Sequence, residues 1–182
     1  MRRTIAVVGS STFPLQRGVG HILRMMHDEP GDILFQSRAD KTGEPIAGPD
    51  AMVALFARSL HRPYASVWLD PNTKPSERGL ERDTRMVAQS DVVWAFFDPN
   101  RTMEGGTANV VNIAMNRWVE VHAWTIDEGD NLIEVGSMAA KPIGTATLTS
   151  ASITGLSYKF TPATPTYKPP TMEFTISYDE VE

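Results

Sequence analysis

The feature that most narrows the possible folds lies at residues 90–125, SDVVWAFFDPNRTMEGGTANVVNIAMNRWVEVHAWT. Its opening DVVWAFF (residues 91–97) is an unbroken apolar, β-branched and aromatic run. That is the pattern of a strand covered on both faces, and so of a parallel sheet. Asp98, Pro99 and Asn100 break the run by turn chemistry. Gly105 and Gly106 then permit a sharp turn and a close ligand approach, with Thr107 expected to cap a helix. The free N–H groups at that helix start, together with its dipole, suit an anion. Val110, Val111, Ala114 and Trp118 are expected to face the sheet, with Asn109, Asn112 and Asn116 on another stripe. Residues 119–125 read as the next strand.

Upstream the same alternation repeats. TIAVVG (residues 4–9) is a buried-type strand, followed by the small, hydroxyl-rich bend Gly9, Ser10, Ser11 and Thr12. Val19, Ile22, Leu23 and Met26 fall at helical spacing. Residues 32–36 form a third strand and residues 37–47 a polar loop. Gly48, Pro49 and Asp50 open a helix whose apolar face is Met52, Val53, Leu55, Phe56 and Leu60, with Pro49 suited to its first turn. Residues 64–69 form a fourth strand. Ser76 is expected to cap a helix with Leu80, Thr84, Val87 and Ala88 inward, and with Arg78, Arg82, Arg85, Glu77 and Glu81 on a solvated side.

Strand and helix in steady alternation predict an α/β, Rossmann-like three-layer parallel sheet with right-handed crossovers. Ligands of such sheets bind beyond the carboxyl ends of the strands, where the strand order reverses. Residues 9–12, 37–50 and 98–107 are the loops concerned, and glycine, hydroxyl and acidic side chains collect there. From about residue 130 the helical period disappears. Residues 131–136, 144–153, 156–160 and 172–178 read as strands, with prolines at 162, 165, 169 and 170 marking a loop or extended edge between the last two. The expected division is an α/β domain at residues 1–128 and a C-terminal β-meander or arm at residues 129–182.

Composition removes whole classes of function. The 182-residue chain has 41% hydrophobic and 21% charged residues, ordinary for a globular domain with a sizeable core. A net charge of −5 and the lack of any basic run argue against a nucleic-acid partner. With no cysteine there is no thiol nucleophile, disulfide or cysteine-bound metal. No run approaches the roughly 20 apolar residues that cross a bilayer, and the segment after Arg2 and Arg3 is too short for a signal peptide. A cytoplasmic location and no membrane partner are expected. His21, His27, His61 and His122 lie in separate elements, so no metal is expected. There is no Gly-x-Ser-x-Gly elbow, no Walker lysine and no Gly-x-Gly-x-x-Gly in the first turn, so triads, P-loop chemistry and dehydrogenase-type dinucleotide binding drop out. Trp68, Trp94, Trp118 and Trp124 are expected to fill the core.

Several of these segments, taken in order, resemble a known family. Gly-Ser-Ser after the first strand, Gly48-Pro49-Asp50 opening the second helix, ERDTRMV (81–87), SDVVWAF (90–96) and GTANVV (106–111) are similar to the YspA-like branch of the SLOG superfamily. Its members show a Gly-Ser-Arg first turn, a Gly-Ala-Asp helix start, an Arg-Asn-x-x-Met-Val helix and an Ala-Phe strand before a Gly-Thr-Ala turn. The resemblance spans roughly residues 4–126. It implies a Rossmann-like sheet that binds a nucleotide or nucleotide-derived ligand, touched by Gly9, Ser10, Ser11, Gly48, Asp50, Arg82, Gly105, Gly106 and Thr107; Asn109 joins them from the helix face. Ser11 stands where the branch has arginine, so a cationic contact is missing there. Asp83 replaces its asparagine, leaving only acceptors when ionised.

Related phosphoribohydrolases and deoxyribosyltransferases carry a glutamate just after the Gly-Thr turn, where it serves an oxocarbenium-like sugar centre. Here the matching helix offers Val110, and no acid until Glu120. The leading expectation is therefore a sensor or sequestering protein for a nucleotide-type ligand, with no cofactor and assembled as a homo-oligomer. An N-glycosidase, phosphoribohydrolase or deoxyribosyltransferase-like enzyme using Asp98, Glu104 or Asp83 is the first alternative. An assembly protein working through the C-terminal β arm is the second. The ligand reading requires the bends at 9–11 and 105–107 to face each other across neighbouring strand ends, with the space between them open.

Overall fold

The first strand, β1 (Arg3–Gly9), explains why a continuous apolar run was needed. Its alternate side chains enter two separate cores: Ile5 and Val7 on one face, Ala6 and Val8 on the other. In this computed structural model, which describes residues 2–100, 105–139, 151–160 and 172–180, β1 lies inside a six-stranded sheet. The other elements up to residue 138 are α1 (Leu15–Asp28), β2 (Ile33–Arg38), α2 (Pro49–Ser59), β3 (Tyr64–Val67), α3 (Arg78–Ala88), β4 (Val92–Phe96), α4 (Gly106–Asn116), β5 (Glu120–Ile126) and β6 (Leu132–Met138). The strand order is β3-β2-β1-β4-β5-β6, parallel except for antiparallel β6. Side chains of α1 and α2 pack against Ile5, Val7, Phe35 and Trp94; those of α3 and α4 pack against Ala6, Val8, Val93 and Ala95. The α/β, Rossmann-like three-layer arrangement is thus the observed one, and the order reverses between β1 and β4.

Beyond this sheet, β7 (Ala151–Phe160) and β8 (Met172–Glu180) form an antiparallel pair. Residues 151–160 are one strand rather than parts of two. The prolines between 161 and 171 fall outside the described residues, as do residues 140–150. The strand expected at residues 131–136 is β6, the sixth member of the main sheet. Among the described residues no helix is long and apolar enough to cross a membrane.

Four local expectations need correction. Helix α3 is turned relative to its expected phase: Arg82, Asp83, Met86 and Val87 are buried, whereas Leu80 is exposed. An apolar-face count put leucine inside; the charges are inside because they pair with each other and with backbone. Ser76 does not cap α3, since a turn in which Glu77 and Arg78 donate to Lys74 O leads into it. Thr107 is likewise no cap: the cap position is Gly105, two residues earlier, and Thr107 is buried within the first turn. Of the tryptophans, Trp94 is 5% exposed but Trp68 is 57% and Trp118 37% exposed. Trp118 lies past the end of α4 in a positive-φ turn (58°), which swings it off the inner stripe.

Candidate functional site

Strand β2 runs two residues past its expected end at Gln36, through Ser37 and Arg38, and both are buried although the sequence reads there as loop. What makes this possible is Asp50, in the first turn of α2, where a carboxylate is favoured by the helix dipole. Its Oδ1 accepts from the Arg38 backbone N–H and from Nε, both at 2.9 Å. Its Oδ2 accepts from Arg38 Nη2 at 2.8 Å and from the Gly9 N–H at 3.0 Å. Ser37 Oγ donates to the Asp50 carbonyl at 2.9 Å. Asp50 is entirely enclosed (0% exposed) and its two oxygens are engaged.

Arg38 carries the arrangement across to the other strands. Nη2 also donates to Gly9 O at 2.7 Å and, more weakly, to Thr107 Oγ1 at 3.3 Å. One guanidinium therefore links the carboxyl ends of β1 and β2 to the start of α4. Burial works against its charge, but the field and hydrogen bonds of Asp50, with help from Asp83, hold its pKa above the ordinary arginine value. Its other terminal nitrogen, Nη1, makes no hydrogen bond among the described residues. A Cβ placed on Gly106 would lie 2.9 Å from it, so glycine is required there for α4 to start against the guanidinium. Among the described residues no side chain caps α4. The first residue of α4 thus lies against Arg38 Nη1, beside the topological switch.

Glycine is required a second time at Gly48, whose φ is 96° and whose hypothetical Cβ would sit 2.5 Å from Ser10 O. That close approach clamps the α2 loop beneath the first bend. The bend itself continues the sheet, with Ser10 N–H donating to Phe96 O at 2.9 Å. The bends at 9–11 and 105–107 are therefore close, as the ligand reading requires. The open gap expected between them is occupied by Arg38. That overturns the expected pocket between the two bends; a ligand at this end of the sheet would have to meet the outer side of the guanidinium.

A second charged pair flanks the first. Arg82 Nε and Nη2 both reach Asp83 Oδ1 at 2.8 Å, and Arg82 Nη1 donates to Ala39 O at 3.2 Å, directly after Arg38. Burial raises the Asp83 pKa, outweighing the opposing pull of Arg82 and Arg38.

The structure brings Gly9, Gly48, Asp50, Arg82, Asp83, Gly106 and Thr107 together around Arg38. Ser10 is half-buried and Ser11 exposed on the rim, with exposed Gly105 on the opposite side. Asn109 is exposed on the helix flank. Asp98 is nearly buried and accepts from the Asn100 N–H; Glu104 lies outside the described residues. Arg38 was invisible to the sequence reading. No local pattern announces it, because its burial depends on Asp50, 12 positions away. No group of residues suited to a metal ion occurs among the described residues. Comparison with protein-family models, with curated proteins and with solved structures finds no match to this chain.

Proposed function

We infer that the carboxyl end of this sheet binds a small phosphate-bearing ligand of nucleotide type, as a sensor or sequestering protein. The observation that carries this reading is Nη1 of the buried Arg38: a cationic donor without a hydrogen-bond partner among the described residues, set against the start of an 11-residue helix that no described side chain caps. Helix N–H groups and guanidinium corners both complement phosphate oxygens. The resemblance to the SLOG superfamily supports the same ligand class and supplies the nucleoside part of the inference. Asp50 and Gly9 then act on the ligand through Arg38, which they hold, rather than by touching it.

Binding stands ahead of N-glycoside cleavage because the position where related enzymes carry a glutamate is Val110, buried in the α3–α4 core. The test is a thermal-shift panel of nucleotides, NAD and ADP-ribose derivatives on wild type and Arg38→Lys, which keeps the charge but removes the fork. A ligand at 100 times its Kd stabilises by about 2.7 kcal/mol, which is roughly 5–10 °C in Tm for a chain of this size. A shift in wild type that falls in Arg38→Lys supports the reading; no shift with any member at millimolar concentration defeats it.

A further inference from the structure

The Arg82–Asp83 pair is buried next to the anion seat, yet it is not needed to neutralise Arg38, which Asp50 already does. Its geometry is lopsided. Both Arg82 contacts converge on Asp83 Oδ1, and Arg82 is itself braced by the Ala39 carbonyl, so the carboxylate is fixed in position. Oδ2 makes no hydrogen bond among the described residues. It is also not sealed away: among the described residues the one enclosed side-chain atom lacking a partner is Glu81 Oε2. The acceptor is tied to the anion seat through the backbone: Arg82, which holds Asp83 Oδ1, donates from Nη1 to the carbonyl of Ala39, the residue directly after Arg38.

The two groups make opposite demands. Arg38 Nη1 attracts an anion, whereas a second anion at Asp83 would meet a carboxylate in a poorly solvated place. What suits Oδ2 is a neutral donor on the same molecule. We propose that Asp83 accepts a sugar hydroxyl, so that the ligand is a phosphorylated sugar, free or within a nucleotide, with an unmodified hydroxyl facing α3. This rests on the anion seat inferred above and adds the ligand's second point of attachment. The residue is one at which this chain departs from the family it resembles. An asparagine whose oxygen was held by Arg82 would offer N–H donors instead, and would welcome the second phosphate that Asp83 repels.

Calorimetric titration of the full chain with ribose 5-phosphate and with inorganic phosphate tests the proposal. Wild type is expected to bind the sugar phosphate at least tenfold more tightly than phosphate, in line with one hydrogen bond to a charged group. Asp83→Asn should erase that ratio while binding phosphate as well as or better than wild type. Should the variant fail to fold, the ratio is read in wild type against pH. For that series methyl phosphate, an ester that titrates close to the sugar phosphate but carries no hydroxyl, replaces inorganic phosphate; the ratio should shrink as acid protonates Asp83, whose neighbours are Arg82 on its own helix, Arg38 from β2 and Asp50 from α2. An unchanged ratio in Asp83→Asn, or a wild-type ratio near one, overturns the hydroxyl acceptor and leaves the seat standing. Failure of both ligands to bind overturns the seat and the acceptor together.

Discussion

The molecule holds two clusters of arginine and carboxylate that look alike in composition and differ in surroundings. At the carboxyl ends of the strands, Arg38, Asp50, Arg82 and Asp83 are all buried. At the far end and edge of the sheet, Arg3 reaches Glu29 at 2.7 Å and Glu120 at 3.3 Å, while His122 sits between Glu120 (2.9 Å) and Glu134 (2.8 Å), stacked on Trp124. Distances in the two clusters are similar, so distance does not rank them. Water does: the second cluster remains partly solvated, where ion pairs contribute about 0–1 kcal/mol. In the first, an orphaned charge has no solvent to turn to, and breaking the pair costs about 3–5 kcal/mol.

That contrast is most exposed to failure at Asp50. Asp50→Asn should leave Arg38 buried without its counter-charge and lower stability by about 3–5 kcal/mol, a Tm fall on the order of 10 °C, measurable by calorimetry. A loss below about 1 kcal/mol would erase the distinction between the clusters. Gly106→Ala comes next: its methyl meets Arg38 Nη1 at 2.9 Å, and overpacking of a fixed group costs about 1–3 kcal/mol. Denaturant titration should show it, and ligand binding should weaken in parallel.

His122→Gln should cost no more than about 1 kcal/mol, and its effect carries a pH signature. Burial lowers the His122 pKa, but the hydrogen bonds and charges of Glu134 and Glu120 raise it overall. A histidine whose folded pKa lies above its unfolded value, about 6.5, stabilises fully below that value and loses the contribution as pH rises through the folded pKa. The gap between wild type and His122→Gln should therefore narrow as pH rises above about 6.5, and a gap that widens would show the assigned direction to be wrong. Smallest of all, Arg2→Ala removes a pair with Asp32 in which both partners are exposed; Tm should stay within the scatter of replicate scans.

How much of this could be read beforehand followed the same divide between local pattern and tertiary pairing. Strand runs such as DVVWAFF and the Gly-Gly bend disclosed the layers and the turn that opens α4, because apolar periodicity and glycine punctuation are written locally. Arg38 was hidden because its burial depends on Asp50, a residue 12 positions away that meets it only after the α2 loop folds back. The phase of α3 was hidden for the same reason: a charged pair counts as surface until its partners are known. Thr107 misled because a hydroxyl after two glycines reads as a cap, whereas here it accepts from a guanidinium that no local pattern announces.

The reversed direction of β6 has a practical outcome. Met138 pairs with Val121, so the polypeptide departs from the foot of the strands, not from their tips. A fluorescent reporter joined directly after Met138 would begin about 20 Å, the length of a strand, from the mouth where Arg38 waits, and should monitor ligand addition without blocking entry.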